Sequence, residues 1–456
     1  MSLHDAIEHY HSLLDDDIAA ESQYQLEDQL RRKGLFFGDR PLCSVLRPRF
    51  LTAAQYRFLR DRVNALMPAF EKAYHRAIAD AAFRKQFGLF DWEETLIADD
   101  PGFKDPSPVS RLDAFFVHER GGLKFTEYNG ETPAAAAYND ILADMFLGLP
   151  IMREFLHAYE VRPQPERHNV MHALIDTYQE WAGDRRARPV VGILDWKEVP
   201  TFSEFVITAE YLNAQGIECV IADPRDVEYT NGRLYAAGRP IDLIYKRVLI
   251  TELVERGGID HPIIRAVRDR KVCMVNPFRC KILHKKASLA VLSDERNAEM
   301  FSGSELQAIE MHIPWSRVVE NRSTTKAGEK IDLLEYCRGN RDHLVLKPND
   351  EYGGTGIVLG WTVSDDDWSD AINTAILEPT IVQEKIELPT EPYPSMVDGH
   401  VHITDRVLDT APFIFNGKYM DGCLTRLSTE ELVNVTAGGG SSLATFVCEP
   451  RIGGSL

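Results

Sequence analysis

Ser110-Arg111-Leu112-Asp113-Ala114-Phe115-Phe116 and Leu123-Lys124-Phe125-Thr126-Glu127-Tyr128-Asn129 read as two strands, with Glu119-Arg120-Gly121-Gly122 between them as the turn. Side chains alternate faces along a strand, so Arg111 and Asp113 share one face, as do Glu127 and Asn129. Closing the hairpin brings Asp113 near Glu127 and Arg111 near Asn129. Facing carboxylates repel unless a cation sits between them. Asp113, Glu127 and Asn129 supply only oxygen donors of the kind that suits Mg²⁺, and Arg111 suits a phosphoryl oxygen. A solvent-facing hairpin whose charges pair off in water is the alternative.

Further along, His343-Leu344-Val345-Leu346-Lys347-Pro348 is a buried-strand pattern ending in Lys347, and it runs into a loop holding Gly353, Gly354 and Gly356. Backbone N–H groups of such a loop can lie over a polyphosphate while the preceding Lys neutralises charge. The loop is neither a Walker A motif nor a dinucleotide fingerprint, since no Gly-Lys-Ser/Thr and no opening helix follow. Thr380-Ile381-Val382-Gln383-Glu384-Lys385-Ile386-Glu387-Leu388-Pro389 reads as a strand between two lobes. Its backbone at Glu384, Lys385 and Ile386 could meet an adenine edge, and Glu387 a ribose.

These motifs together resemble the circularly permuted ATP-grasp ligases, in the group that includes the synthetase domain of glutathionylspermidine synthase. The family's Arg-x-Asp strand and its Glu-Tyr-Asn-x-x-Thr-Pro strand are matched by Arg111-Leu112-Asp113 and by Glu127 to Pro133. Lys285-Lys286-Ala287, Lys347-Pro348 with the glycine loop, and Gln383-Glu384 with Leu388-Pro389 resemble its other motifs. Leu424-Thr425-Arg426, Val433-Asn434 and Gly438-Gly439-Gly440 are similar to the tail of a neighbouring branch. The likeness runs from about residue 100 to the C-terminus.

The resemblance implies an α/β fold with α+β lobes: a circularly permuted ATP-grasp with a Rossmann-like layer before the nucleotide lobes and a helical N-terminal region. The expected division is 1–100 helical, 101–187 the hairpin and following helices, 188–275 the Rossmann-like substrate layer and 276–456 the nucleotide-binding lobes. It further implies a carboxylate–amine ligase that uses ATP and Mg²⁺ and passes through an acyl phosphate. Arg111 would be catalytic; Lys286, Lys347, Gly353, Gly354, Gly356 and Gln383 through Glu387 would bind ATP; Asp113, Glu127 and Asn129 would hold the metal. Thr132, Arg247, Arg426 and Asn434 are candidate substrate contacts. A small-molecule kinase and a catalytically silent binding protein stay open as alternatives.

Composition agrees. The 456 residues are 44% hydrophobic and 27% charged, ordinary for a soluble enzyme, and the net charge of −19 argues against nucleic acid or an anionic membrane as partner. The partners expected are small-molecule or peptide acids and amines. Seven scattered Cys without a Cys-x-x-Cys pair indicate neither zinc nor a disulfide frame, and no signal or membrane-spanning run is visible, so a reducing cytoplasm is expected. His400-Val401-His402 and His9-Tyr10-His11 lack the further ligands that zinc requires.

Local patterns give the remaining elements. Thr52 is a candidate N-cap for a helix to about Ile78, with Pro68 expected to kink or break it. Thr132-Pro133 reads as the start of another helix, and Val401 to Phe415 as one late strand. Between 188 and 247 the order is strand, helix over Phe202 to Ala214, strand, hairpin, strand. Asp195-Trp196-Lys197 and Arg247 lie at carboxyl ends of those strands, where substrate contact or a salt bridge is expected. Asp350 and Glu351 would suit an amine or be solvated loop tips.

Overall fold

The computed structural model describes residues 3–37, 40–117, 122–351, 353–429 and 440–451. The proposed turn residues Glu119, Arg120 and Gly121, the loop residue Tyr352, and Asn434 with most of its tail motif lie outside the described residues. Among the described residues, the hairpin strands Val109–Val117 and Gly122–Asn129 form one edge of an antiparallel sheet. Its other strands come from far along the chain: Ala411–Phe415, Tyr419–Ser428, His400–Leu408 and Thr390–Val397, with Ser441–Leu443 beside Tyr419–Ser428. The single strand expected over Val401 to Phe415 is therefore two. Asp409 and Thr410 interrupt it, and Thr410 bonds instead to the hairpin through its N–H to Ala114 O (2.8 Å).

The hairpin has the register that alternation predicts, Arg111 opposite Asn129 and Asp113 opposite Glu127. Beyond that pair Ala114 faces Phe125, so Thr126 is an extra residue in the second strand. Such a bulge re-aims side chains locally. Leu112, Ala114, Phe116, Phe125 and Tyr128 turn to the back of the sheet and pack against Leu59, Val63, Leu66 and Phe70. These come from the helix Ala53–Ala79, which Thr52 and Gln55 cap reciprocally. Phe70 and Tyr128 lie with ring centroids 4.8 Å apart. Each buried Leu or Phe contributes about 1.5–3 kcal/mol of transfer free energy, which orients the charged face of the hairpin outward from this core. The helix runs unbroken through Pro68, whose neighbours Leu66, Met67, Ala69 and Phe70 are all buried. Tertiary packing outweighs one lost N–H bond there.

A second sheet is parallel throughout, in the order Cys273–Val275, Leu243–Lys246, Val191–Leu194, Cys219–Ala222. The helix between two of its strands is Phe202–Ala214, as read from the sequence. A third, antiparallel sheet joins Ser316–Val318, Thr380–Glu384, Leu344–Pro348 and Val358–Leu359, and the glycine loop connects the last two. Gly353, Gly354 and Gly356 all adopt positive φ, which a side chain would strain.

The expected helix start at Thr132-Pro133 is displaced. The helix is Ala136–Gly148, and Ala135 before it has φ +81°. Two guanidinium groups hold residues 133 and 134 out of helical conformation: Arg247 donates to Pro133 O (2.7 Å) and Arg111 to Ala134 O (2.8 Å). No described helix is long and apolar enough to cross a membrane.

Candidate active site

A cavity of about 530 Å³ lies where the three sheets meet. That size suits a nucleotide or a small organic ligand. Val345, Ile357, Leu359, Trp361, Ile386 and Leu388 put apolar side chains on the cavity wall, beside Glu384 and Lys385. Towards the middle come Lys347, Gly353 and Gly354 on one side and Arg111, Asp113, Thr126, Glu127 and Asn129 on the other. The far end holds Thr132 to Ala135, Asp195, Arg247 and Glu252, with Asp409 and Arg426 on the flank. An apolar slot leading into a charged centre fits a ligand with a flat base and a polyanionic tail.

Lys347 is a half-buried cation at that centre. It donates to Gln383 Oε1 (2.8 Å) and Thr126 O (3.3 Å), and among the described residues no carboxylate closes an ion pair with it. Burial pushes its ammonium down to about 8, against the opposing pull of Glu127. Gln383 is itself buried and donates to Ser316 Oγ (3.0 Å), so its side chain positions Lys347.

The facing carboxylates are compensated by protein cations. Asp113 takes a two-donor fork from Arg111 (2.7 and 3.1 Å) and a bond from Arg426 (2.7 Å). Burial raises its carboxyl, but the two guanidinium groups outweigh that and hold it well below the usual range. Glu127 pairs with Lys286 at 3.0 Å; burial is again outweighed, and its carboxyl sits low. Arg426 also pairs with Asp409, a buried carboxyl that burial pushes up. Asn129 Nδ2 is buried with no hydrogen-bond partner. An amide turned about its Cβ–Cγ bond presents its oxygen at that place instead. Three oxygen donors with an unmatched amide fit a hard divalent cation such as Mg²⁺.

Several expected contacts stand elsewhere. Lys286 is not on the cavity wall; it is buried behind Glu127 and also donates to Glu351 O. Gly356 lies off the wall, where an added Cβ would meet Pro348 Cγ at 2.8 Å. Glu387 is absent from the wall, because the extended chain turns Ile386 and Leu388 inward on either side of it. The Glu384 carboxylate is taken by Lys326 (2.7 Å) and by Trp315 N–H (2.8 Å). The main-chain N–H groups of Glu384 and Lys385 donate to Trp315 O and His343 O, so they are not open to adenine.

Sequence reasoning missed the support beneath the site. Glu131, fully buried, accepts from Lys246 (3.2 Å), Lys281 (3.2 Å) and Ile250 N–H (2.6 Å). Lys281 and Lys285 in turn pair with Glu93 (3.3 and 2.8 Å) and with Asp350 (2.6 and 3.1 Å). Asp350 is thus neither a solvated tip nor a substrate contact: it ties the glycine loop to the helix Cys280–His284 and to Lys285, next to Lys286. Three lysines (246, 281, 285) balance three carboxylates (Glu93, Glu131, Asp350), while burial pushes the adjacent His284 down to about 4, leaving it neutral. The sequence signal was the Lys281, Lys285, Lys286 spacing, with Glu131 two residues after the hairpin.

No protein-family model matches the chain. A Frankia casuarinae protein provisionally named glutamate–cysteine ligase 2-2 is 25% identical over 269 residues, covering 56% of this chain. The match spans only 29% of that relative's length. The solved structure of a glutathione synthetase-like effector from Globodera pallida, in its apo form, aligns with 95% of this chain and 98% of its own, with a TM-score of 0.57 and 14% identity. That is a likeness of fold across the whole chain. D-alanyl-alanine synthetase A from Vibrio cholerae aligns with 49% of this chain and 67% of its own, with 11% identity and a TM-score of 0.26, too low to carry an argument.

Proposed function

We propose that the chain, whose motifs resemble those of the ATP-grasp ligases, is an ATP-dependent carboxylate–amine ligase of the permuted, glutathionylspermidine-synthase-like kind. One observation carries the reading: Lys347, the glycine loop and the hairpin's Arg111, Asp113 and Glu127 meet in one cavity with an apolar slot beside it. The relative's description as a ligase agrees with it. In this reading 101–187 carries the metal and phosphoryl centre, 188–275 the substrate layer and 276–456 the nucleotide lobes, with 1–100 buttressing the hairpin.

A carboxylate is a poor acyl electrophile. Attack of its oxygen on the γ-phosphorus, with ADP leaving, makes an acyl phosphate; an amine then attacks the carbonyl, and phosphate leaves with the C–O electron pair and takes up the proton that the nitrogen loses. Lys347 and the backbone of Gly353 and Gly354 hold the polyphosphate. Arg111 stabilises the transferring phosphoryl group and then the tetrahedral oxyanion. Mg²⁺ held by Asp113, Glu127 and Asn129 would supply charge neutralisation at the phosphate oxygens when bound. Closure of the glycine loop excludes water, which competes with the amine for the acyl phosphate. The test is an ATP-consumption screen of acids against amines with mass spectrometry of products. Phosphate release with an amide product is expected; a stable phosphorylated compound, or no consumption with any pair, contradicts the ligase.

The adenine slot makes its own prediction. Glu384 C=O and Ile386 N–H, two residues apart on extended chain, are the backbone pair that can match adenine's N6 donor and N1 acceptor. Guanine reverses that edge, so ATP should displace a bound fluorescent ATP analogue far better than GTP does. Equal displacement would move the base elsewhere.

Lys347→Ala should cost about 1.5–3 kcal/mol of nucleotide affinity, the usual range for a charge-assisted contact. In the wild type, affinity should fall as pH rises through about 8, where this ammonium loses its proton. The stability effect has the opposite sign: the unfolded lysine keeps its proton to higher pH, so the metal-free protein gains stability between about 8 and the normal lysine value of about 10.4. Calorimetric titration of a non-hydrolysable ATP analogue at several pH values checks this. An affinity independent of pH in that range removes Lys347 from the phosphates.

A further inference from the structure

Two strands of the parallel sheet end side by side at the cavity. Lys246 pairs with Leu194, so Asp195 and Arg247 leave neighbouring strand ends one residue later, and both line the wall. Ligands of open parallel sheets bind at such carboxyl ends. Asp195 is only 8% exposed; its carboxylate accepts Trp196 N–H (2.8 Å), and among the described residues no cation closes an ion pair with it. Burial pushes its carboxyl up to about 6, more than the Trp196 bond and the Arg247 charge pull it down.

Arg247, 6% exposed, is anchored from another side. It donates to Pro133 O at 2.7 Å, lies against the Phe205 and Tyr245 rings, and makes a long ion pair with buried Glu204 at 3.7 Å. Its Nε is buried with no hydrogen-bond partner. Opposite charges this buried gain most by closing on each other or on a ligand that carries both complements. Here the anchoring of each keeps them from closing. Arg247 and Arg111 clamp the consecutive carbonyls of Pro133 and Ala134, so this pair of charges abuts the phosphoryl centre.

We propose that Asp195 and Arg247 form the recognition site for a free α-amino acid, its ammonium on Asp195 and its carboxylate on Arg247. Its role as one of the two ligated substrates rests on the ligase reading; the binding itself does not. A polyamine would set like charge against Arg247, and a simple carboxylic acid would do so against Asp195, so neither satisfies both groups.

Ligand-observed saturation-transfer NMR on the full chain tests this, with and without Mg²⁺ and a non-hydrolysable ATP analogue. The probes are the pooled proteinogenic L-amino acids, their 2-hydroxy-acid counterparts and their decarboxylated amines. Saturation of at least one amino acid is expected, with its hydroxy-acid and amine counterparts at least tenfold weaker. D195N, shown folded by its thermal melt, should lose that signal to the same degree. Because changing Arg247 removes the Pro133 anchor, the carboxylate half is read from the amine probes on wild-type protein. No saturated amino acid, single-charge probes binding equally well, or an undiminished signal in D195N each overturn the site. Amino-acid binding without any ATP-dependent product sinks the ligase reading and leaves the site standing, whereas ligation of substrates that are not amino acids does the reverse.

Discussion

Replacing Glu127 with Gln is expected to abolish ATP turnover, a loss of at least about a thousandfold, while the protein stays folded. Glu127 faces Asp113 across the hairpin and reaches the cavity, so Gln removes half of the carboxylate charge available to a divalent cation. The metal-free enzyme should also lose stability, on the order of 1–3 kcal/mol, because Lys286 is buried and loses its carboxylate partner at 3.0 Å. The hairpin pattern by itself predicts the reverse, relief of repulsion between two carboxylates. The difference is Arg111, Arg426 and Lys286, which already neutralise both groups. Melts with and without Mg·ATP, beside a turnover assay, decide the matter. A Glu127→Gln protein that keeps its Mg·ATP-induced rise in Tm would mark the cluster as structural and the active site as misplaced.

Glu131→Gln should damage the fold severely, costing about 3–5 kcal/mol. It leaves Lys246 and Lys281, both almost fully buried, with one carboxylate fewer among them and Lys285, and the amide cannot restore the charge. Burial raises the Glu131 carboxyl, yet the lysines hold it well below the usual range. With the folded value depressed, its contribution to stability is complete above the ordinary carboxylate range and lost as pH falls below it. Denaturant unfolding of wild type and variant should therefore differ most at neutral pH and converge in acid. An equal gap at pH 7 and at pH 3 would assign the loss to packing instead of charge.

The hairpin was readable because its information is local. Alternation sets which side chains share a face, and the turn-length constraint sets the register that opposes Asp113 to Glu127. The helix from Thr52 and the parallel strands were legible for the same reason, through a capping pair and apolar runs. The errors fall where distant residues override local preference. Thr132-Pro133 has the residues of a helix start, but two arginines hold the adjacent carbonyls, and one of them comes from the parallel sheet. Glu387 is expected at a ribose from the strand pattern, whereas the extended chain turns Ile386 and Leu388, not Glu387, to the cavity wall.

The sequence by itself determined which residues carry charge to the hairpin and which lysine precedes the glycine loop, since each is set by spacing within a few residues. Only the tertiary structure decided which protein groups those charges meet. Asp113 is claimed by Arg426 from the last third of the chain, Lys286 by Glu127, and Asp350 by Lys281 and Lys285, while Lys347, Asp195 and the Arg247 Nε are left facing the cavity or unmatched. The reason is physical: a buried charge is stabilised by whichever partner the packed core brings within about 4 Å, and sequence separation plays no part in that distance.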